Sequence, residues 1–76
     1  MHEEPYSNYR LTARLSLANR PGAFASVVEL LAREKANLGA IDIVEVTKEK
    51  MVRDITMDVA SEDHGKNVIE RLKELE

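Results

Sequence analysis

The 76-residue sequence has no cysteine and no tryptophan, and it has only one phenylalanine and two tyrosines. Without cysteine the chain can form neither a disulfide nor a thiolate metal site. So few aromatic side chains argue against a base-stacking platform of the kind that binds single-stranded nucleic acids. The formal net charge of -3 points the same way, because nucleic-acid binding usually requires a basic surface. We therefore expect no nucleic-acid partner.

The sequence also lacks long hydrophobic runs. No apolar stretch approaches the roughly 20 residues that cross a bilayer, and none follows the N-terminus as in a signal peptide. We therefore expect a cytoplasmic protein without a membrane partner. A chain this short builds a core that supplies only about 3–5 kcal/mol, so we also expect something to complete it.

Candidates for catalytic chemistry are few. The two histidines, His2 and His64, form neither a nucleophile–base pair nor a metal site, and we expect His64 to be a solvated residue at a helix start. We therefore expect no catalytic residue, no metal site and no cofactor in this domain. Asp54 and Asp58 share one face of a predicted strand and could act as an acid–base pair. Arginines predicted to lie opposite them favour a surface ladder of ion pairs instead.

Hydrophobic periodicity divides the chain into five elements after a short arm. Residues 1–8 show no apolar period and contain a proline, so we expect a flexible N-terminal arm. Alternating apolar side chains predict strands, and apolar side chains three and four apart predict helices. The domain then spans 9–76, with strands at 9–17, 38–46 and 51–60 and helices at 22–36 and 62–75.

The order strand, helix, strand, strand, helix predicts an α+β, ferredoxin-like domain, an antiparallel sheet with both helices on one face. The last strand of that βαββαβ pattern is missing from the chain, which leaves the first strand as an open edge. We expect a partner chain, swapping or marginal stability as the result. The simplest interpretation is a piece of a longer protein.

The predicted fold places the third strand beside the first. On the polar face, three pairs of residues then share one antiparallel register, since the numbers in each pair add up to 68. Opposite charges and paired threonines are favourable cross-strand partners, each contributing roughly 0.2–1 kcal/mol. The pairs are Arg10 with Asp58, Thr12 with Thr56, and Arg14 with Asp54.

Turn chemistry predicts how the first helix begins and ends. Pro21 suits the first helical position with Asn19 near the N-cap, and Asn37 can end the helix in the left-handed conformation. The second strand is apolar without clean alternation, so we expect a bulge near Ile43 or burial on both faces. The apolar stripe of the first helix contains Phe24, Val27, Val28 and Leu31.

The loop from Asn19 to Gly22 is the one candidate binding feature. A loop that opens onto a helix N-terminus presents backbone N–H groups at the positive end of the helix dipole, where carboxylates and phosphates bind. Arg20 would add a charged fork. An ordinary strand-to-helix turn explains the same residues equally well.

With Asn19-Arg20-Pro21-Gly22, then Phe24 in an amphipathic helix, and Asn37 before the second strand, the chain from Tyr9 to Glu76 resembles an ACT domain. That family implies a regulatory module that pairs subunits and binds a small-molecule effector. In the serine-sensing member of phosphoglycerate dehydrogenase, the ligand lies between this loop and the neighbouring subunit's turn. The resemblance implies polar contacts from Asn19 and Asn37, with amides near Gly22 and Ala23 facing a carboxylate. The ligand-binding residues it implies are Asn19, Arg20, Pro21, Gly22, Ala23, Phe24, Asn37, Leu38 and Ile41.

Two features refine the resemblance. Leu17 stands where serine-sensing members have a histidine, which argues against serine as the effector. The segments 38–44 and 52–56 resemble the N-terminal ACT domain of bacterial NAD-dependent malic enzymes, so NAD and a divalent metal are implied for the parent enzyme alone.

The implied partners are an effector, a second copy in a homodimer or higher oligomer, and the parent's catalytic domain. The alternatives are a ligand-free dimerisation module and, from Arg20 and Asn37, a small acylphosphatase-like enzyme.

Overall fold

The computed structural model describes residues 9–76, so the predicted flexible arm at 1–8 lies outside the described residues. The α+β, ferredoxin-like order predicted from the sequence is confirmed. Most element ends differ from prediction by one or two residues, and the first helix ends three residues earlier. The elements are β1 (Tyr9–Ala18), α1 (Ala23–Arg33), β2 (Asn37–Val46), β3 (Lys50–Val59) and α2 (Glu62–Lys73).

The three described strands form one antiparallel sheet in the order β1-β3-β2. The predicted register between β1 and β3 is confirmed along the whole strand, from Tyr9 opposite Val59 to Ala18 opposite Lys50. Because side chains alternate along a strand, this register puts the odd-numbered residues of β1 and β3 on one face. Both helices cover that face, which we call the helix face.

The predicted ion-pair ladder is present on the opposite, polar face. Arg14 Nε and Nη2 donate to the two carboxylate oxygens of Asp54 at 2.8 and 2.9 Å. Arg10 makes the same two-pronged contact with Asp58 at 2.8 and 3.3 Å. Between them, the hydroxyl oxygens of Thr12 and Thr56 lie 3.0 Å apart.

The core lies between the helix face and the two helices. Val27, Leu30 and Leu31 of α1 are buried there, whereas Val28 is 43% exposed. The predicted stripe was therefore wrong by one position, because Leu30 and not Val28 turns toward the sheet. The buried apolar cluster contains Ala13, Leu15, Leu17, Val27, Leu30, Leu31, Ala36, Ile55, Met57, Val59, Val68 and Leu72.

Both ends of α1 differ from prediction. The N-cap is Gly22 in the left-handed conformation, at φ 88°, and neither Asn19 nor Pro21 takes a helical position. At the other end Lys35, at φ 61°, adopts the left-handed conformation expected of Asn37. The N–H of Ala36 donates to Leu31 O at 2.9 Å, and the N–H of Lys35 donates to Ala32 O at 3.2 Å. This is a Schellman motif, stabilised because Ala36 and Leu31 are both buried.

The start of α2 ties the two helices together. Ser61 is the N-cap of α2, and its hydroxyl accepts from the N–H of His64 at 3.1 Å. His64 is not the solvated residue we expected. Its Nδ1 accepts from the N–H of Ala60 at 2.9 Å, so Nε2 donates to Glu34 O, 2.6 Å away at the end of α1. Gly65 lets α2 pack closely on the sheet, because a Cβ there would lie 2.6 Å from Leu11 Cδ2 of β1.

The two edges of the described sheet differ. At β1, side chains from the end of the chain satisfy the backbone, since Ser16 N–H donates to Glu76 Oε2 at 2.7 Å and Lys73 Nζ donates to Arg14 O at 3.2 Å. At β2, register shifts between Leu38 and Ile41 and between Ile43 and Glu45 confirm the predicted bulge.

Burial of β2 on both faces, the other interpretation of its apolar sequence, was wrong. The strand lies at the edge of the sheet and leaves four large apolar side chains at least two-fifths exposed. We call these residues the β2 patch: Ile41, Ile43, Val44 and Val46. Over residues 9–76, neither helix has the length and apolar character needed to span a bilayer.

The ladder makes stability depend on pH. Hydrogen bonds from Arg14 and Arg10 hold the pKa of Asp54 and Asp58 below the ordinary 3.8. A carboxylate whose pKa falls on folding stabilises the fold above its unfolded pKa, and this is lost as the pH drops through the folded value. We expect Asp54→Asn to lower the free energy of unfolding at pH 7, with the deficit shrinking below about pH 4. Urea unfolding from pH 7 to pH 2.5 measures this, with Glu45→Gln as the exposed control; a deficit that is constant with pH would contradict it.

Candidate functional site

The loop between β1 and α1 is held in place by Asn19. Its side-chain Nδ2 donates to Thr47 O at 2.6 Å, and its backbone N–H donates to Glu49 O at 2.9 Å. Both acceptors belong to the hairpin between β2 and β3, so Asn19 joins the loop to the hairpin. Its predicted contact with a ligand stays a prediction.

The loop closes on itself before the helix begins. The N–H of Ala23 donates to Arg20 O at 3.2 Å, and the N–H of Arg20 donates to Ala18 O at 3.0 Å. Gly22 supplies the left-handed residue that this turn requires, and it has no side chain that would cover the start of α1. Arg20, Pro21 and Gly22 are exposed and Ala23 is half-buried, so the loop is open to small molecules.

A cleft of about 210 Å³ opens beside this loop. It contains Arg20, Gly22 and Ala23 of the predicted site, and it places the Arg20 cation near the start of α1. Its volume is below the roughly 300–1,000 Å³ of sites for drug-sized ligands, so a smaller molecule fits it better. The sequence did not predict the other residues that line the cleft. They come from the end of β1, from α1 and from the residues after α2: Leu17, Ala18, Ser26, Leu75 and Glu76.

The other predicted residues lie elsewhere. Asn37 begins β2 opposite Asp58, whereas the loop adjoins the end of β3 where Lys50 pairs with Ala18. The two positions on β3 are eight residue steps apart, which is about 26 Å along a strand. Leu38 is half-buried against the core, and Ile41 is 41% exposed in the β2 patch.

One chain therefore does not bring the loop and Asn37 together. A small ligand that touches the loop cannot also touch Asn37 of the same chain. The same separation argues against the acylphosphatase-like alternative, because Arg20 and Asn37 cannot act on one acyl phosphate.

Arg53 has an unusual environment that the sequence reasoning missed. On β3 it is in phase with Ile55 and Met57, so it points to the helix face, where its Cζ lies 4.5 Å from the centre of the Phe24 ring. Its Nη1 is buried and has no hydrogen-bond partner among residues 9–76. Leaving a buried donor unpaired costs about 1–3 kcal/mol, and more for a charged group. The sequence did contain a signal for it, because Arg53 is a charged residue at a position where the alternation of β3 is otherwise apolar.

The titratable groups do not suggest catalysis. The pKa of Asp54 and of Asp58 is lowered chiefly by a hydrogen bond from an arginine, whereas a general acid at neutral pH needs a raised pKa. The ladder interpretation is therefore supported over an acid–base pair. Between Tyr9 and Glu76, no three His, Cys, Asp or Glu side chains cluster closely enough to hold a metal ion.

Two helices on one face of an antiparallel sheet, in βαββα order, define a ferredoxin-like module, and a small cleft lies beside its β1–α1 loop. The sequence matches the family described as ACT domain over residues 5–76, and the chain belongs to that family. Neither the curated proteins nor the solved structures contain a match to it.

Membership of this family establishes the general role of the chain. ACT domains are in general small-molecule regulatory binding domains and not catalytic ones. The predicted regulatory class is thus confirmed at this level.

Gly22 offers a direct test of the loop geometry. A Cβ at Gly22 would meet nothing within 4 Å, so a substitution there acts only through the backbone at φ 88°. We expect Gly22→Ala to lower the free energy of unfolding by about 1–2 kcal/mol, because an L-residue pays that for a left-handed conformation. Gly22→Asn should lose less, since asparagine tolerates this region. Equal losses in urea unfolding would show that the turn does not need a left-handed residue.

Proposed function

We propose that this ACT domain binds a small-molecule effector between two copies of the chain and joins the subunits of a larger metabolic enzyme. Its membership of the ACT family carries this proposal. The effector is an amino acid or a small carboxylate. Binding it would favour one arrangement of the subunits and so change the activity of a separate catalytic domain.

The placement of the predicted site residues supports a shared site. The loop and Asn37 lie toward opposite ends of the sheet in one chain. Two antiparallel copies would place the loop of one against the β2 strand of the other. The site is then complete only in the dimer.

The β2 patch supports association through that edge. Ile43 and Val46 are 55% and 56% exposed, although they are the kind of side chain that proteins bury. An unpaired edge strand with exposed apolar residues favours pairing with another chain. At β1, by contrast, Lys73 and Glu76 already satisfy part of the backbone.

The parent enzyme in this proposal is a bacterial NAD-dependent malic enzyme in the cytoplasm. The segments 38–44 and 52–56, which resemble the ACT domain of such enzymes, support it. NAD and a divalent metal would then be bound by the catalytic domain and not by the residues of this domain.

A ligand-free dimerisation module is the second candidate function. Leu17 is only 4% exposed and packs in the core, whereas the serine-sensing members have a polar histidine at that position. The exposed β2 patch favours association whether or not an effector binds.

Association is tested with variants at the two edges. We expect Ile43→Lys to convert a dimer into a monomer in sedimentation velocity, because the charge would be buried at the interface. Tyr9→Lys is the matched control, since Tyr9 is 48% exposed at the β1 edge and should not affect association. A dimer that survives Ile43→Lys but not Tyr9→Lys would place the interface at β1.

Effector binding is tested by titrating amide chemical shifts with amino acids and with malate, fumarate and aspartate. We expect saturable shifts at 19–24 and 37–41, and we expect Arg20→Ala to weaken binding about tenfold through loss of a charged hydrogen bond. Arg33→Ala, at the far end of α1, is the control. Dimerisation without any saturable shift would favour the ligand-free module.

A further inference from the structure

The helix face carries a single charged side chain among the described strands. The odd-numbered positions of β1 and β3, and the β2 residues paired with those of β3, are otherwise apolar. Arg53 is the exception, and it lies near the middle of the sheet, with Leu15 opposite it on β1 and Ile43 opposite it on β2.

The guanidinium of Arg53 is held in a defined position. Its Cζ lies 4.5 Å from the centre of the Phe24 ring, so the ring supports one face of the planar group. Nη1 is buried and has no hydrogen-bond partner within the described part of the chain. A buried cationic donor is stabilised by a carboxylate, which accepts two parallel hydrogen bonds from the guanidinium fork.

No carboxylate of the described chain fills this role. The nearest acidic neighbour in sequence, Asp54, points to the polar face and is bound by Arg14. Asp42 pairs across from Asp54 and therefore shares that face. The acceptor for Arg53 would have to come from outside the described residues.

The surroundings of Arg53 indicate which carboxylate fits. Arg53 itself is half-buried, so part of it remains accessible to solvent. Beside it lie the exposed side chains of Ile43 and Ile41. Phe24, also half-buried, adds a further apolar wall. A ligand bound here would place a carboxylate on the guanidinium and an apolar body against these residues.

We propose that Arg53 binds the carboxylate of the effector, and that the effector is a small carboxylic acid with an apolar body. This inference rests on the proposed effector-binding function and identifies a residue and a ligand class for it. Arg53 lies between the two groups of predicted site residues, because it contacts Phe24 of the first group and adjoins Ile41 and Ile43 on the β2 side.

The test compares a carboxylate with its uncharged analogue. Leucine and leucinamide are titrated into the 76-residue chain and its variants, with isovalerate, malate and inorganic phosphate as further probes. The parent chain should bind leucine and isovalerate and should bind leucinamide at least about tenfold more weakly, because a hydrogen bond between charged groups is lost. Arg53→Met keeps the apolar stem over Phe24, and it should bind leucine at least about tenfold more weakly and no longer distinguish it from leucinamide.

Two further variants separate charge from structure. Arg53→Lys keeps the charge without the fork, so it should retain part of the affinity for leucine. If circular dichroism shows that Arg53→Met does not fold, the loss of leucine affinity in Arg53→Lys tests the proposal instead. Arg71→Met, an exposed arginine on α2, is the matched control and should behave as the parent does.

Each other outcome has a distinct meaning. Arg53→Met that binds leucine as tightly as the parent would overturn the role of Arg53 and leave the proposed function standing. Tighter binding of malate or phosphate than of leucine would overturn the ligand class. A change in sedimentation alone would mean that Arg53 pairs with a carboxylate of a second copy, and this also overturns the proposal. Absence of binding by every probe would count against the effector-binding function itself.

Discussion

The pairing of β1 with β3 is the interaction on which the rest of this structure depends. β3 is the central strand, so its register with β1 also determines which of its side chains lie on the same face as those of β2. A slip of one residue would turn the core side chains Ile55 and Met57 to the polar face. The two arginine–aspartate pairs and the threonine pair all belong to the one register that avoids this. Burial on one face and charge pairing on the other therefore favour the same alignment.

The two sheet edges show how the fold handles exposed backbone. At β1, two long side chains from α2 and the end of the chain satisfy an N–H and a carbonyl. At β2, two irregularities shift the register of the strand, but its large apolar side chains stay exposed. Bulges and charged side chains protect an edge, whereas exposed isoleucine and valine invite another surface. This asymmetry is the physical basis for proposing β2, and not β1, as the edge at which subunits meet.

Arg53 is the residue at which local rules conflict. Its position in the alternation calls for an apolar side chain, and an unpaired buried donor opposes folding. Sequences tend to break such rules at functional sites, where the cost is offset by binding. The ring of Phe24 supports part of the guanidinium but accepts no conventional hydrogen bond from Nη1. In the proposed function, the bound carboxylate accepts the hydrogen bonds of the Arg53 guanidinium for which the described chain has no acceptor.

Sequence and structure agree most closely where local periodicity decides the outcome. Alternation along β1 and β3 identified both strands and the face of each side chain, and cross-strand charge identified their register. The cap at Ser61 is likewise local, because its hydroxyl acts within one turn of its own helix. These features depend on residues that are near in sequence or are paired by a two-residue period.

Tertiary packing decided the rest. Gly22 and Lys35, not Asn19 and Asn37, border α1, because burial of Ala36 and the hairpin contact of Asn19 outweigh local preference. The loop and Asn37 lie about 26 Å apart along the strands, a separation set by the strand pairing. The sequence by itself determined the fold class, the strand register and the family. Only the tertiary structure decided the helix ends, the separation of Asn37 from the loop and the burial of Arg53 Nη1, because these depend on contacts between elements distant along the chain.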